Sequence, residues 1–254
     1  HYGGKISAGG VIRTGREFEL SEAAMRSALS RMCKAGWLVS ERDGGRAYYA
    51  STAKTDSLLQ EGVSRIFTRR DETWNGEWTV LCYVLADTPR EVRDKFRQRL
   101  TWLGFGSLMP GTWVAARNLT NELEVLIDDL HLSASIEYFC GQHLGVADDH
   151  ELVHRCWNLQ DINHRYRRFV GTYEPAYERD CRLFEAGTPP PDNECFVHRF
   201  LLIHDYRYFF RIDPELPPHL LPADWSGRKA ASLFSSYHRM LTAPAVRFYL
   251  AANA

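Results

Sequence analysis

Apolar residues recur at helical spacing near the start of the chain, where one stripe contains Met25, Ala28, Leu29 and Met32. Ser21 precedes this run and is expected to cap the first helical turn, while Gly36 is expected to end the helix in a left-handed conformation. The opposite face carries short hydrogen-bonding groups and long cations without an acid, namely Ser27, Ser30 and Lys34, flanked by Arg26 and Arg31. The pattern predicts an amphipathic helix with a cationic outer face.

A β-hairpin pattern follows this helix directly. WLVSER predicts a strand, DGGR a glycine-rich turn and AYYAS a second strand, and Val11–Phe18 predicts a shorter helix upstream. Helix, turn, helix and hairpin in this order are typical of a winged helix-turn-helix, whose second helix enters the major groove of DNA. Arg42 and Arg46 flank the hairpin tip, where a wing would meet the phosphate backbone. The alternative is an ordinary amphipathic helix whose polar face only meets water.

The remaining pattern predicts two further folded regions. A strand-like run lies over 78–86, two short strands lie within 105–117, and a last strand lies over 134–141. Predicted helices over 89–103 and 123–130 separate the first strand from the middle pair and the middle pair from the last strand. This is the βαββαβ order of a ferredoxin-like domain. From Glu151 onward the chain has only helical spacing, interrupted by proline-rich loops. A linker helix with Leu59, Val63, Ile66 and Phe67 on one side ends at a boundary near 71–76. The predicted fold class is α+β multidomain: an N-terminal winged helix-turn-helix over 1–70, a central ferredoxin-like domain over 71–147 and a C-terminal helical domain over 148–254.

Charge separates the first region from the rest. Residues 1–70 carry twelve Lys/Arg and seven Asp/Glu, a net of +5, whereas the remainder of the 254 residues carries 19 and 25, a net of −6. A basic end on an acidic body is typical of a polyanion-binding domain attached to another module.

Cysteine usage and hydropathy indicate the compartment. The six cysteines are dispersed without a CxxC pair, which favours small buried hydrophobic residues in a reducing environment. No apolar run approaches the ~20 residues that cross a bilayer, and the first ten residues do not resemble a signal peptide. We therefore expect a cytoplasmic protein that has no membrane partner.

Three stretches resemble the PaaX family, repressors of phenylacetate-degradation operons. They are SEAAMRSALSRMCKAGWLVSERDGGRAYYAST, RLTWLGFGSLMPGTW and RFLLIHDYRYFFRIDPELPPHLLPADWSG, and the last is long and specific. The resemblance implies a transcriptional regulator that binds a promoter palindrome and is released by an aryl-CoA thioester, typically phenylacetyl-CoA. It also implies a further helix before His1. By position, Arg26, Ser27, Ser30 and Lys34 match the recognition helix, and Arg42, Arg46 and Tyr48 match the wing. With Ser21 and Arg31 these residues form the predicted DNA-binding set.

An enzyme is the rival class, because residues 79–105 also resemble the small ferredoxin-like nuclease of CRISPR adaptation systems. In those proteins an Asp directly after a Tyr at the end of the first strand holds a divalent metal. Here Val84 follows Tyr83 and offers no oxygen ligand, and Asp87, three positions later, is expected to cap the next helix. His150 and His154 lie four apart but lack an HExxH motif. We therefore predict no catalytic residue, no metal and no cofactor.

An effector pocket needs apolar walls and a few cationic groups for phosphate. Trp102, Trp113, Trp157 and Phe139 are candidates for the walls, and His164–Arg168 with Arg207 and Arg211 for the charges. The alternatives are core tryptophans, a solvated helix face and hydrogen bonds from His204–Arg207 that tie helices together. The predicted ligand set is Trp102, Trp157, Arg168, His204, Arg207 and Arg211.

Together the patterns predict a homodimeric repressor that binds double-stranded DNA and responds to an aryl-CoA, with a ligand-independent DNA-bending protein as a further alternative.

Overall fold

The computed structural model describes residues 4–67 and 74–253, without the side chains of 61 and 63–67. Contacts divide the chain into two compact units. The first consists of the described parts of 1–69, 169–207 and 229–254, and the second of those of 70–168 and 208–228. Residues 148–254, predicted as one helical domain, thus contribute to both units. The predicted boundary at 71–76 lies mostly outside the described residues.

The N-terminal segment combines helices with a three-stranded antiparallel sheet. Its elements are, in chain order, β1 (Lys5–Ser7), α1 (Ala8–Arg16), α2 (Glu22–Lys34), β2 (Leu38–Asp43), β3 (Arg46–Ser51) and α3 (Ala53–Phe67). The sheet order is β1-β3-β2, so the short first strand adds to the predicted hairpin. Ser7 ends β1 and also caps α1, because its Oγ accepts a hydrogen bond from the Gly10 amide at 2.9 Å.

A four-stranded antiparallel sheet forms the centre of the second unit. Its elements are β4 (Glu77–Tyr83), α4 (Arg90–Trp102), β5 (Gly106–Met109), β6 (Thr112–Ala115), α5 (Thr120–Asp129) and β7 (Ile136–Gln142). The strand order is β5-β6-β4-β7. Both helices pack on the same sheet face, since Leu81 of the sheet shares one core with Phe96 and Leu100 of α4 and with Leu123 of α5. All four of these side chains are completely buried.

The remaining part of the chain is helical, as predicted. Its helices are α6 (Asp149–Cys156), α7 (Leu159–Glu185), α8 (Asp192–Tyr206) and α9 (Gly227–Asn253). In the first unit the three longer helices are joined by polar and aromatic contacts. Tyr173 of α7 donates a hydrogen bond to Asp205 of α8 at 2.6 Å, and Tyr206 stacks on Phe234 of α9 with ring centroids 4.1 Å apart. The segment 204–207 therefore ties helices together, which is the alternative given for it above.

Asp180 of α7 is a fully buried carboxylate that holds the same three helices together. Its Oδ2 accepts a hydrogen bond from the Tyr237 hydroxyl of α9 at 2.6 Å and lies 3.2 Å from Nδ1 of His198 of α8. Arg179 donates to its other oxygen from Nε at 2.9 Å. Burial and the neighbouring carboxylate raise the pKa of Tyr237 far above its usual range. The hydroxyl thus remains a donor at any physiological pH.

Several predictions about individual side chains are wrong. Met32 is 41% exposed and does not complete the buried stripe of α2. Asp87 does not cap α4, because the N-cap position is Pro89 and no side chain caps this helix end. Cys140 is exposed, and of the six free cysteines only Cys195 is fully buried. Leu59, predicted to face inward from the linker helix, is 48% exposed, and the side chains of the other three residues of that stripe lie outside the described part.

None of the helices in the described ranges has the length and apolar character needed to cross a membrane.

Candidate nucleic-acid interface

Both ends of α2 are fixed by the residues that the sequence marks as its boundaries. Ser21 is the N-cap, and its Oγ accepts a hydrogen bond from the Ala24 amide at 3.2 Å. At the other end Gly36 has a φ of +71°, and the Trp37 amide donates to the Met32 carbonyl at 2.9 Å, which closes the helix as a Schellman motif. Met25 and Leu29 are buried against the neighbouring elements. The opposite face of α2 is thereby turned to solvent.

The predicted polar residues of that outer face are all exposed: Arg26, Ser27, Ser30, Arg31 and Lys34. An acid lies beside this face, next to the flanking Arg26. Glu22 lies one turn before Arg26 and accepts hydrogen bonds from its Nε at 2.9 Å and its Nη2 at 2.7 Å. Because both partners are exposed, this ion pair is weak and its guanidinium can exchange to another anion. Arg31 donates to the Ser27 hydroxyl at 3.0 Å.

The hairpin after α2 has a tight basic tip. Asp43 pairs with Arg46 in the β2–β3 register, so the loop contains only Gly44 and Gly45. Their φ values of +54° and +78° are those of a two-residue type I′ turn, which side chains other than glycine rarely adopt. Arg42 and Arg46 are exposed beside this turn, and Tyr48 is half-buried in β3. Near the other end of the hairpin, Lys5 of β1 forms an ion pair with Glu41 of β2.

The glycines of α1 let its backbone lie close to side chains of α2 and α9. A Cβ at Gly15 would lie 1.8 Å from the Met25 sulfur, so the buried Met25 side chain would have to shift if Gly15 were replaced. A Cβ at Gly10 would likewise lie 2.0 Å from the Asn253 side-chain oxygen at the end of α9. Arg13 extends the contact, because its Nε donates to the Ala252 carbonyl at 2.6 Å.

The segment after α1 packs on α8. The ring of Phe18 lies 4.6 Å from that of Phe200, and Glu17 accepts a hydrogen bond from Asn193 at 2.9 Å. Sequence reasoning missed these partners of the N-terminal helix. Gly10 and Gly15, two of the three glycines of α1, stand at positions where alanine would be the better helix former, and they were the available signal for close packing.

Of the predicted ligand residues, Trp157 has the most distinctive surroundings. It lies between α6 and α7, its ring stacks on Trp78 at 6.4 Å, and a Cβ at Gly106 would be 2.5 Å from it. Its indole Nε1 is buried without a hydrogen-bond partner in the described structure. The ring also lines an open cleft of about 410 Å³ formed by residues 154–160.

The other five predicted ligand residues are distributed over both units. Trp102 ends α4 and is half-buried, and Arg168 and Arg211 are exposed in the same unit as Trp157. His204 and Arg207 belong to the first unit. There, the ring of His204 stacks on Phe200 at 6.2 Å, and Arg207 is the C-cap of α8. Trp157 is the member of the predicted ligand set that lines the cleft of residues 154–160.

The positions considered for metal chemistry show no ligand cluster. Val84 is 78% exposed directly after β4, and Asp87 is exposed in the following turn. Within 4–67 and 74–253, no group of three His, Cys, Asp or Glu side chains is arranged to hold a metal ion.

These features define a class: a mixed α/β protein with two small antiparallel sheets, whose exposed cationic helix is followed by a basic-tipped hairpin. Three family models match the chain in succession. They are the PaaX-like protein model at residues 1–55, the PaaX protein central Cas2-like domain at 71–153 and the PaaX-like protein C-terminal domain at 157–251. The chain belongs to the PaaX family. This result confirms the resemblance found in the sequence.

Two known proteins are similar over nearly the whole chain. The transcriptional repressor PaaX of Escherichia coli is 28% identical over 251 residues, which are 98% of this chain and 78% of that protein. An uncharacterized protein from Mycobacterium tuberculosis has a similar solved structure with a TM-score of 0.66 and 22% identity. That match covers 100% of this chain and 94% of the other, and it shows the fold alone.

Proposed function

We propose that this protein is a transcriptional repressor that binds double-stranded DNA through a winged helix-turn-helix. In this proposal α2 is the recognition helix and the β2–β3 hairpin is the wing. The observation that carries the proposal is the simultaneous exposure of the predicted polar residues of α2 and of Arg42 and Arg46 at the hairpin tip. The net charge of +5 over residues 1–70 and the similarity to a transcriptional repressor support it.

We further propose that the central sheet with α4 and α5 is a ferredoxin-like domain. The strand order β5-β6-β4-β7 and the packing of both helices on one face are those of a βαββαβ unit. No observed group of side chains favours nuclease chemistry on it, since Val84 stands where the metal-binding Asp would be.

The effector proposed from the family resemblance is an aryl-CoA thioester such as phenylacetyl-CoA. Two copies of the chain would place two recognition helices in successive major grooves of a near-palindromic operator. An effector can release DNA only by binding more tightly to a protein state with lower DNA affinity. A thermal-shift comparison tests the effector: phenylacetyl-CoA should raise the melting temperature, and free CoA and phenylacetate should not. An equal response to all three would contradict the effector proposal.

DNA binding is tested by replacing exposed cations of the proposed interface. Lys34→Ala and Arg46→Ala should each weaken binding to a fluorescent 40-base-pair duplex and reduce the salt dependence of the affinity. Each lost phosphate contact should change the slope of log K against log salt by about 0.9. Lys229→Ala is the matched control, because Lys229 is exposed but paired with Glu174 at 2.7 Å. Unchanged affinity and slope in both test variants would contradict the proposed interface.

A further inference from the structure

Helix α4 concentrates positive charge in the part of the chain that is acidic overall. It contains five cations, Arg90, Arg93, Lys95, Arg97 and Arg99, and two acids, Glu91 and Asp94, which is a net of 5 − 2 = +3. All residues after position 70 together have a net charge of −6. The apolar side of α4 is used by the core, where Phe96 and Leu100 are completely buried. The cations are therefore left on the remaining surface of the helix.

Three of these cations form a row along one edge of α4. Arg90, Arg93 and Arg97 have the spacing i, i+3, i+7, which places their side chains on adjoining turns. At 1.5 Å per residue the row is about 10 Å long. A single DNA strand places a phosphate at about every 3.4 Å of axial rise, and neighbouring phosphates lie further apart along the backbone, so the row is long enough to reach more than one phosphate.

Neither Arg93 nor Arg97 forms a close ion pair with a described acid; Asp94 interacts electrostatically with Arg97, but less strongly than the Tyr83 hydroxyl does. Arg97 is exposed, and its Nε donates to the Tyr83 hydroxyl at 3.1 Å, a neutral group that orients the guanidinium. Trp113 approaches the same hydroxyl with its Nε1 at 3.4 Å, so the Tyr83 side chain is itself held in place. Arg90 contacts Asp94 at 3.5 Å, but its side chain is 84% exposed and such a pair is weak.

Two exposed arginines of α7 in the same unit differ in this respect. On α7, Arg165 donates to Asp161 at 2.8 Å and Arg167 forms an ion pair with Asp224. These cations are paired with acids at close range, whereas the half-buried Arg93 and the exposed Arg97 form no close ion pair among the described residues. A convex row of guanidinium groups suits an extended polyanion better than a small ligand, which needs an enclosed site.

We propose that the Arg90–Arg93–Arg97 row of α4 is a second DNA-binding surface, which contacts the phosphate backbone outside the segment read by α2. This inference rests on the proposed function, because it presumes a chain that binds duplex DNA. The contacts are made to phosphate alone, so they add affinity without sequence preference.

The test compares variants of the full chain on a fluorescent 40-base-pair duplex of random sequence by anisotropy between 0.05 and 0.3 M salt. Arg93→Gln/Arg97→Gln should change the slope of log K against log salt by about 1.8 and weaken binding at 0.1 M salt by up to about 60-fold. The single variant Arg93→Gln, which removes no described hydrogen bond, should give about half of this slope change. Arg93→Lys/Arg97→Lys retains the charges and should keep the slope of the unmodified chain.

The matched control is Arg165→Gln/Arg167→Gln, which removes the same net charge from α7 and should leave affinity and slope unchanged. The inference is overturned if the α4 variants bind like the unmodified chain, or if the α7 control weakens binding equally and so reveals a general charge effect. Failure of the proposed function looks different. In that case the unmodified chain does not bind the duplex, or Lys34→Ala and Arg46→Ala have no effect while the α4 variants weaken binding.

Discussion

The buried carboxylate of Asp180 allows a quantitative prediction about the packing of α7, α8 and α9. Tyr237→Phe removes the hydroxyl that donates to Asp180 at 2.6 Å and leaves the ring in place. A hydrogen bond to a charged group contributes about 1.5–3 kcal/mol to stability, and Asp180 has no access to water that would replace it. The substitution should therefore lower the free energy of unfolding by about 2 kcal/mol.

Asp180→Asn should cost more, because Arg179 and His198 also face this side chain, at 2.9 and 3.2 Å. Breaking a buried charge cluster by removing one member costs about 3–5 kcal/mol. In the Asp180→Asn background, the loss of the Tyr237 hydroxyl should matter less, since its charged acceptor is already gone. The two substitutions should thus be coupled by about 1 kcal/mol or more.

The assay is denaturant unfolding followed by circular dichroism for the unmodified chain, both single variants and the double variant. Thermal melting is a second measure, in which 1 kcal/mol corresponds to about 2–4 °C for a chain of this size. Tyr208→Phe is the control, because Tyr208 is 42% exposed and its ring contacts Arg165 and the edge of Phe209. Additive effects of Tyr237→Phe and Asp180→Asn would refute the reasoning, since independent groups do not share an interaction energy.

Two further predictions concern a close contact and a buried histidine. Gly106→Ala should destabilise the protein by about 1–3 kcal/mol in denaturant unfolding and alter tryptophan fluorescence, because the new Cβ would overlap the Trp157 ring. Gly141→Ala is the control in the same sheet. It should be tolerated, because a Cβ there meets no atom within 4 Å. Burial and Arg199 lower the pKa of His238 to about 4, so the unfolded chain binds more protons and stability should fall as the pH drops from 6.5 to 4. His238→Gln should lose less stability than the unmodified chain over that window, and equal losses would contradict this assignment.

Elements with a local chemical signal at their ends are predictable from this sequence. Ser21 and Gly36 mark the ends of α2 because one side chain supplies a hydrogen-bond acceptor and the other residue adopts a left-handed backbone. The two glycines of DGGR predict the hairpin because they can adopt the left-handed backbone that a two-residue turn requires. Strand β1 is different: three residues are too few for a periodic pattern, and Lys5–Ser7 becomes a strand only by pairing with β3.

Side-chain environments that depend on distant residues were predictable only in part. The spacing places Met32 on the apolar stripe of α2, but the stripe extends beyond the elements that cover Met25 and Leu29, so Met32 stays exposed. Helical spacing also cannot assign α7 and α9 to one unit, because each helix contributes residues to both. The exposure of the α2 face follows from amphipathicity alone and was therefore predictable, whereas the ligand set needed tertiary distances that the sequence does not contain.

The bond from Arg13 to the Ala252 carbonyl joins residues 239 positions apart. At about 5–20 residues per second, a ribosome needs about 10–50 s to produce one after the other. During that interval Gly10 and Arg13 lack the surface against which they finally pack, however quickly their own helix and hairpin form. Helix α1 therefore keeps one side uncovered until translation has delivered the last turn of α9.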